Sequence, residues 1–241
     1  FLSWGIKKPN KIAKKLIFLS VITLLGGLGL FMIDESSLFS IICGSLAIWL
    51  LTGVIVDLTF QIKATNLRLN SFKAIFLYFS KNNLGVHIAH MGVAVFLVGV
   101  TGEQFYKTEF NIKKNIGDII NIGNKSLIFD KFETLSGPNY KSETATFTLL
   151  KDQKIIDVLK PEKRFYPIEK SQTTEAAILS DFWGDTYLVL GDGNKETGWS
   201  IRVYFNPLIS WIWGGAGFMA LGGLVSILQS RKSRKKLKNA I

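Results

Sequence analysis

The 241-residue chain holds one cysteine and two histidines, and its longest apolar stretches carry no formal charge. Cys43 stands alone, so no intrachain disulfide forms, and neither CxxC nor CxxCH occurs anywhere in the sequence. It lies inside an apolar run and reads as a small packing residue. No cluster of residues has the spacing of a metal site or of a nucleophile with its base. The stretch "GDGNKETG" lacks the strand, helix and lysine order that a phosphate-binding loop needs. The chain opens on Phe1, with neither Met nor a short apolar segment ending in a small-residue cleavage site. That opening suggests a piece of a longer protein, either truncated or naturally split, in place of an intact reading frame.

What is present is apolar and unevenly spread. The chain is 48% hydrophobic with eighteen phenylalanines. Four uncharged runs, Leu16–Ile33, Leu38–Val56, Leu84–Gly102 and Phe205–Ser230, are each close to the roughly 20 residues that a helix needs to span the ~30 Å hydrocarbon core. They predict membrane spans over 16–33, 38–60, 84–102 and 205–230, in a lipid bilayer. The net charge of +11 is just as local. Residues 1–15 hold five lysines, residues 61–83 four basic residues and the tail 231–241 six, while residues 103–204 hold fourteen basic and fifteen acidic residues. The positive-inside rule then puts 1–15, 61–83 and 231–241 in the cytoplasm or matrix and 103–204 on the far side. A nucleic-acid partner is disfavoured, because the soluble region that would carry a basic patch is not basic.

"SFKAIFLYFSKNN" has lysines near both ends of an aromatic and aliphatic stretch, which suits an interfacial helix near 71–82 leading into the third span. Asp57 sits one turn from the end of the second span, where it serves either as an interfacial carboxylate or as a proton relay. The region 103–204 reads as all-β. Short β-branched and aromatic runs are broken at Gly123-Asn124, Lys151–Gln153 and Gly191-Asp192-Gly193. Five to seven strands in a small antiparallel barrel or sandwich are expected, with "TTEAAI" (Thr173–Ile178) as the one helical turn. Trp211 and Trp213 open the fourth span, either as an aromatic belt or flanking a ligand, and its five glycines from Gly214 to Gly223 allow close helix packing.

Both histidines lie in the third span, "LGVHIAHMGVAVFLVGVTG". An ionisable side chain at membrane depth is costly and marks a pathway, a ligand or a partner. At about 100° per residue Gly85, Ala89, Gly92 and Gly99 make a small-residue stripe, with His87 and His90 on the opposite side. His87 is near the span's end and can reach the interface; His90 is about one turn deeper. Three roles stay open for His90: a hydrogen-bonded packing residue, a proton relay, or an axial ligand to heme iron. Residues at i and i+3 share a helix face, so the two histidines cannot take opposite sides of one macrocycle.

In order along the chain, "GVHIAHMGVAV", "GPNY" (Gly137–Tyr140), "PEKRFYP" (Pro161–Pro167), "TTEAAI", "DTYLVLGD" and "FNPLISWIWGGAGFMALGGLVS" resemble the C-terminal part of the CcmF family. This is the large subunit of the bacterial cytochrome c heme lyase, with a counterpart in plant mitochondria. The resemblance implies a multi-pass protein of the bacterial inner membrane, or less readily of the mitochondrial one, with the β domain in the periplasm and the C-terminus in the cytoplasm. It implies heme transport and attachment: heme taken from a heme chaperone and joined through thioether bonds to apocytochrome c, which arrives with its thiol-handling partner. It also implies a heme b in the membrane bundle, reduced by quinol, with His90 as one axial ligand and metal-binding residue; His87 has no counterpart among the ligands. The second axial histidine and the family's tryptophan-rich heme-handling segment belong to the N-terminal remainder of CcmF, so these residues alone do not complete the lyase chemistry, and no catalytic residue is assigned among them. The competing expectation is a non-enzymatic, membrane-anchored docking scaffold for the heme chaperone or apocytochrome.

Overall fold

The computed structural model describes residues 9–33, 37–64, 84–122 and 125–238. The expected interfacial helix near 71–82 and the Gly123-Asn124 turn lie outside them. Two compact units emerge, one made of Phe1–Phe105 with Leu208–Ile241, the other of Tyr106–Pro207.

The first unit is helical: α1 (Pro9–Ile33), α2 (Leu38–Ala64), α3 (Leu84–Tyr106) and α4 (Ile209–Lys238). Among the described residues these four contain stretches of 22 or 23 residues long and apolar enough to cross a membrane. Pro9 at the first position of α1 gives up an N–H that no helix would use there. Ser37 caps α2, its Oγ accepting from the Ser40 N–H at 3.3 Å. Glycines set how the helices meet. A Cβ at Gly27 of α1 would lie 2.7 Å from Ser45 Oγ of α2, and one at Gly44 of α2 would lie 3.2 Å from Thr101 Cγ2 of α3. Helix α3 meets α4 along Gly85, Gly92 and Gly99, against Gly222 with Ser226, Gly215 with Met219, and Leu208 with Ile212 respectively. As numbers rise on one helix they fall on its neighbour, so consecutive helices run antiparallel.

The second unit is a β-sandwich of ten strands: β1 (Thr108–Lys114), β2 (Ile119–Ile122), β3 (Lys125–Ser136), β4 (Lys141–Lys151), β5 (Lys154–Leu159), β6 (Glu162–Tyr166), β7 (Ser171–Glu175), β8 (Ala177–Asp181), β9 (Gly184–Asn194) and β10 (Gly198–Pro207). One sheet has the order β1-β10-β9-β8; the other runs β2-β3-β4-β6-β7, with β5 also on β4. All pairs are antiparallel, and alternation along the strands buries one face of each sheet. Leu127, Phe129, Ala145, Phe147 and Leu149 come inward from one sheet, and Leu188, Leu190, Trp199, Ile201 and Val203 from the other. Phe129 stacks on Phe147 at 4.6 Å between centroids, and Trp199 meets Phe129 edge-on at 5.6 Å. Phe147→Leu keeps the residue apolar but removes the ring pair and some volume. It is expected to cost about 1–2 kcal/mol, seen as a lower urea midpoint for loss of tryptophan fluorescence.

Two expectations are corrected here. "TTEAAI" is not a helical turn. Thr173 and Thr174, β-branched, pair with Arg164 and Lys163, and after Ala176 the chain crosses to the other sheet, where Ala177 and Ile178 pair with Leu188 and Tyr187. Partners on each side outweigh the helix preference of a short Glu-Ala-Ala run. Gly191-Asp192-Gly193 is likewise strand, not turn. A Cβ at Gly191 would lie 3.0 Å from Ser200 Cβ of β10, so glycine serves close strand approach, and the chain reverses at residues 195–197 instead.

Candidate functional site

Helix α3 presents three distinct surfaces. Gly85, Gly92 and Gly99 lie on α4, where a Cβ at Gly92 would fall 2.6 Å from the Met219 N and 2.8 Å from the Gly215 O. His87, Ala94 and Thr101, seven residues apart and all buried, make the α2 side. On the helical wheel His90 falls between these two, on a half-buried flank with Val93 and Leu97. The opposite flank opens into a cavity of about 260 Å³ whose lining includes Val54, Leu58, Leu84, His87, Met91 and Phe218.

His90 Nδ1 lies 2.7 Å from the Val86 carbonyl oxygen, one turn back. A carbonyl can only accept, so Nδ1 carries the proton, and in the neutral ring the lone pair is then on Nε2. An imidazole held this way by its own helix has its tautomer and ring orientation set for donating Nε2 to a metal. The residues present therefore fit one side of a heme iron. Among the described residues there is no group of three His, Cys, Asp or Glu side chains that could hold a metal ion by itself.

The two histidines part company. His87, 9% exposed, turns toward α2, where its Nε2 is 3.9 Å from Asp57 Oδ2. Lys15 of α1 reaches the other oxygen of the same carboxylate at 2.9 Å. Asp57 thus links three consecutive helices at one end of the unit. Reading spans singly hides this cluster. Its signal is a shared depth: Lys15 just before the first run, Asp57 a turn from the end of the second, and His87 in the first turn of the third. Asp57→Asn leaves Lys15 facing a neutral amide and is expected to cost about 1–2 kcal/mol, read as earlier thermal unfolding in detergent. Adding Lys15→Met should recover much of the loss, since an apolar side chain needs no counter-charge.

In the β-sandwich three of the quoted sequence blocks converge. Arg164 of "PEKRFYP" donates from Nε to Glu162 at 2.8 Å and lies 3.8 Å from Glu175 of "TTEAAI". Its guanidinium covers the Tyr140 ring of "GPNY" at 4.6 Å, and Tyr140 meets Tyr166 at 5.6 Å. The Glu162 carboxylate, with the Tyr166 side chain assisting, holds the guanidinium in its charged form, above its ordinary pKa. The Arg164 charge is met by two carboxylates within the cluster, which pins β6 and β7 to the loop before β4. At the β8–β9 turn, burial alone would raise the Asp181 carboxyl, but Lys125 and the N–H groups of Trp183 and Gly184 outweigh it and hold it below the ordinary carboxylate range.

The comparisons with known proteins agree with this architecture. The profile of the family described as the CcmF C-terminal beta-sandwich matches residues 105–207. The chain is 31% identical over 234 residues to the cytochrome c-type biogenesis protein CcmF of Escherichia coli (strain K12), covering 96% of this chain and 34% of that protein. With the CcmF of Pseudomonas aeruginosa it is 34% identical over 157 residues, 65% of this chain and 24% of that one. Among solved structures, a cytochrome c heme lyase CcmF superposes with a TM-score of 0.60 at 17% identity, covering 94% of this chain and 35% of that one. This chain spans about a third of the length of the Escherichia coli relative. In sequence, in its β-sandwich and in the order of its apolar helices, the chain belongs to the CcmF family and matches its C-terminal part.

Proposed function

We propose that this chain provides the C-terminal membrane and β-sandwich portion of a cytochrome c heme lyase, with His90 as one axial ligand of a heme b. The observation that carries this reading is the His90 side chain: Nδ1 is committed to the Val86 carbonyl, which in the neutral ring leaves the lone pair on Nε2. The second axial histidine and the tryptophan-rich segment that handles the incoming heme come from the upstream part of the protein. When bound, heme b supplies one-electron transfer, drawing on quinol. His90 would hold the iron through Nε2, and the Val86 carbonyl keeps its ring from rotating. The β-sandwich stands on the periplasmic side, where the heme chaperone and apocytochrome c with its thiol-handling partner arrive, and the basic segments remain in the cytoplasm of a bacterial inner-membrane protein.

The test is a pyridine-hemochrome spectrum of the chain purified in detergent, first alone and then co-expressed with an N-terminal CcmF piece. Heme b that appears only on co-expression supports the reading. No heme in either preparation overturns it and leaves a docking module whose histidines are structural.

A further inference from the structure

The β8–β9 turn carries two adjacent large aromatics on its tip. Phe182 is 64% exposed and Trp183 is 66% exposed, and their rings meet edge-to-face at 5.2 Å. The turn is braced from within. Asp181 Oδ1 accepts from the Trp183 N–H at 2.8 Å and the Gly184 N–H at 3.1 Å, while Oδ2 pairs with Lys125 Nζ at 2.9 Å. Gly184, at φ +152°, sits so close to β10 that a Cβ would fall 2.5 Å from the Asn206 carbonyl oxygen. A built turn that holds a Phe-Trp pair outward is unlike a solvent loop, where polar residues are expected.

Register says where that tip is. Gly184 pairs with Pro207, and Asp181 pairs with Gly184 across the turn. Pro207 stands two residues before Ile209, the first residue of α4 and of its apolar stretch Ile209–Ser230. Cross-strand partners are about 5 Å apart and two residues reach at most ~7.6 Å, so chain connectivity alone ties Gly184, the residue that follows Trp183, to within about 13 Å of Ile209. The adjoining strand agrees: Thr108, two residues past the end of α3, pairs with Phe205 at the same end of the sheet. The far end of β9 and β10 is different in character. Its turn is Asn194-Lys195-Glu196-Thr197, with Asn194 Oδ1 accepting from the Glu196 and Thr197 N–H groups at 2.9 and 2.8 Å. Strand β9 spans 11 residues, so the two tips are separated by about 33 Å. One tip is aromatic and lies at the end of the sheet from which the chain runs into α4; the other is polar and lies at the opposite end.

We propose that the Phe182-Trp183 turn is a lipid anchor, seating both rings in the headgroup region of the leaflet that α4 enters at Ile209. The partner is the bilayer surface, where Trp and Phe gain from burying an apolar ring and the indole N–H keeps a polar neighbour. The anchor gives the sandwich a third point of attachment beside the two chain crossings. It rests on α4 crossing a membrane and not on the heme reading, so either can fail alone.

The lone cysteine makes the test clean. In a Cys43→Ser background, a nitroxide is placed on Trp183→Cys, on Phe182→Cys with Trp183 retained, and on Thr197→Cys. The full chain is reconstituted in phosphatidylethanolamine–phosphatidylglycerol vesicles. Collisions are measured with oxygen, which concentrates in lipid, and with a water-soluble nickel chelate. At 182 or 183 the oxygen-to-nickel collision ratio is expected to exceed that at 197 several-fold. Equal ratios at both tips overturn the proposal. Labels at 182 and 183 shielded from both reagents also overturn it, because protein, from a second copy or an adjoining segment, would then cover the turn.

Discussion

His90→Ala, introduced into the chain co-expressed with the upstream part of CcmF, is expected to reduce heme b to background while the protein remains inserted and monodisperse. The expectation follows from what the substitution removes and what it spares. The lost group is an imidazole whose Nδ1 is 2.7 Å from the Val86 carbonyl oxygen. That bond is local to α3, and alanine is the best helix former, so the helix itself should not suffer. The α4 contact through Gly92 and the α2 contact through His87 lie on other sides of α3. His87→Ala is the matched control. It takes an imidazole from the same helix, three residues away, but one that faces Asp57, so it should cost stability and leave heme content near that of the parent. On the proposed ligand role, imidazole added to the His90→Ala preparation should restore part of the b-type spectrum, because the free molecule carries the donor that the substitution removes. Full heme content in His90→Ala would remove it from the ligand set, and equal losses in both variants would point to a general packing effect.

How much of this was legible in the sequence depends on the range of the interaction that decides each feature. The four apolar runs and the glycine stripe of α3 are local patterns, and the chain displays them directly. The sandwich was legible as a class, because its inward residues alternate along single strands. The individual turns were less so: Thr173 and Ile178 are strand residues only because Arg164 and Tyr187 lie opposite them, and composition along the chain does not show which residues pair. The Lys15–Asp57–His87 cluster is the same kind of fact at longer range, with the ion pair joining residues 42 apart in sequence. The two histidines stood out because imidazoles at membrane depth are conspicuous and the family resemblance singled out His90, but its tautomer needed the Val86 carbonyl, and the direction taken by His87 needed α2. The convergence of "GPNY", "PEKRFYP" and "TTEAAI" on Arg164 was likewise invisible until strand order placed β6 between β4 and β7.

Gly92→Leu is expected to separate α3 from α4, at a cost of about 3 kcal/mol or more, and Gly215→Leu should do the same from the other side. The structure makes the contact one of backbone against backbone. A Cβ at Gly92 would lie 2.6 Å from the Met219 N, and one at Gly215 would lie 2.5 Å from the Phe96 N and 2.7 Å from the Gly92 O. A side-chain neighbour could rotate away; these atoms can move only if a whole helix moves. In lipid there is little hydrophobic gain from holding two apolar helices together, so close van der Waals packing supplies most of the attraction, and it falls off steeply as the axes part. Gly217→Leu is the control, since a Cβ there meets nothing within 4 Å, and it should shift stability by less than about 0.5 kcal/mol. Fluorescence-detected size exclusion after stepwise heating in detergent separates these cases. Identical melting of the Gly92 and Gly217 variants would show that the glycine contact is dispensable. Heme content offers a second reading of the same variants. The His90 flank is fixed in space only while α3 stays seated between α2 and α4, so Gly92→Leu should also deplete heme b. Because Gly92 faces α4 and not the His90 flank, such a loss would trace the proposed site's geometry back to a residue outside it.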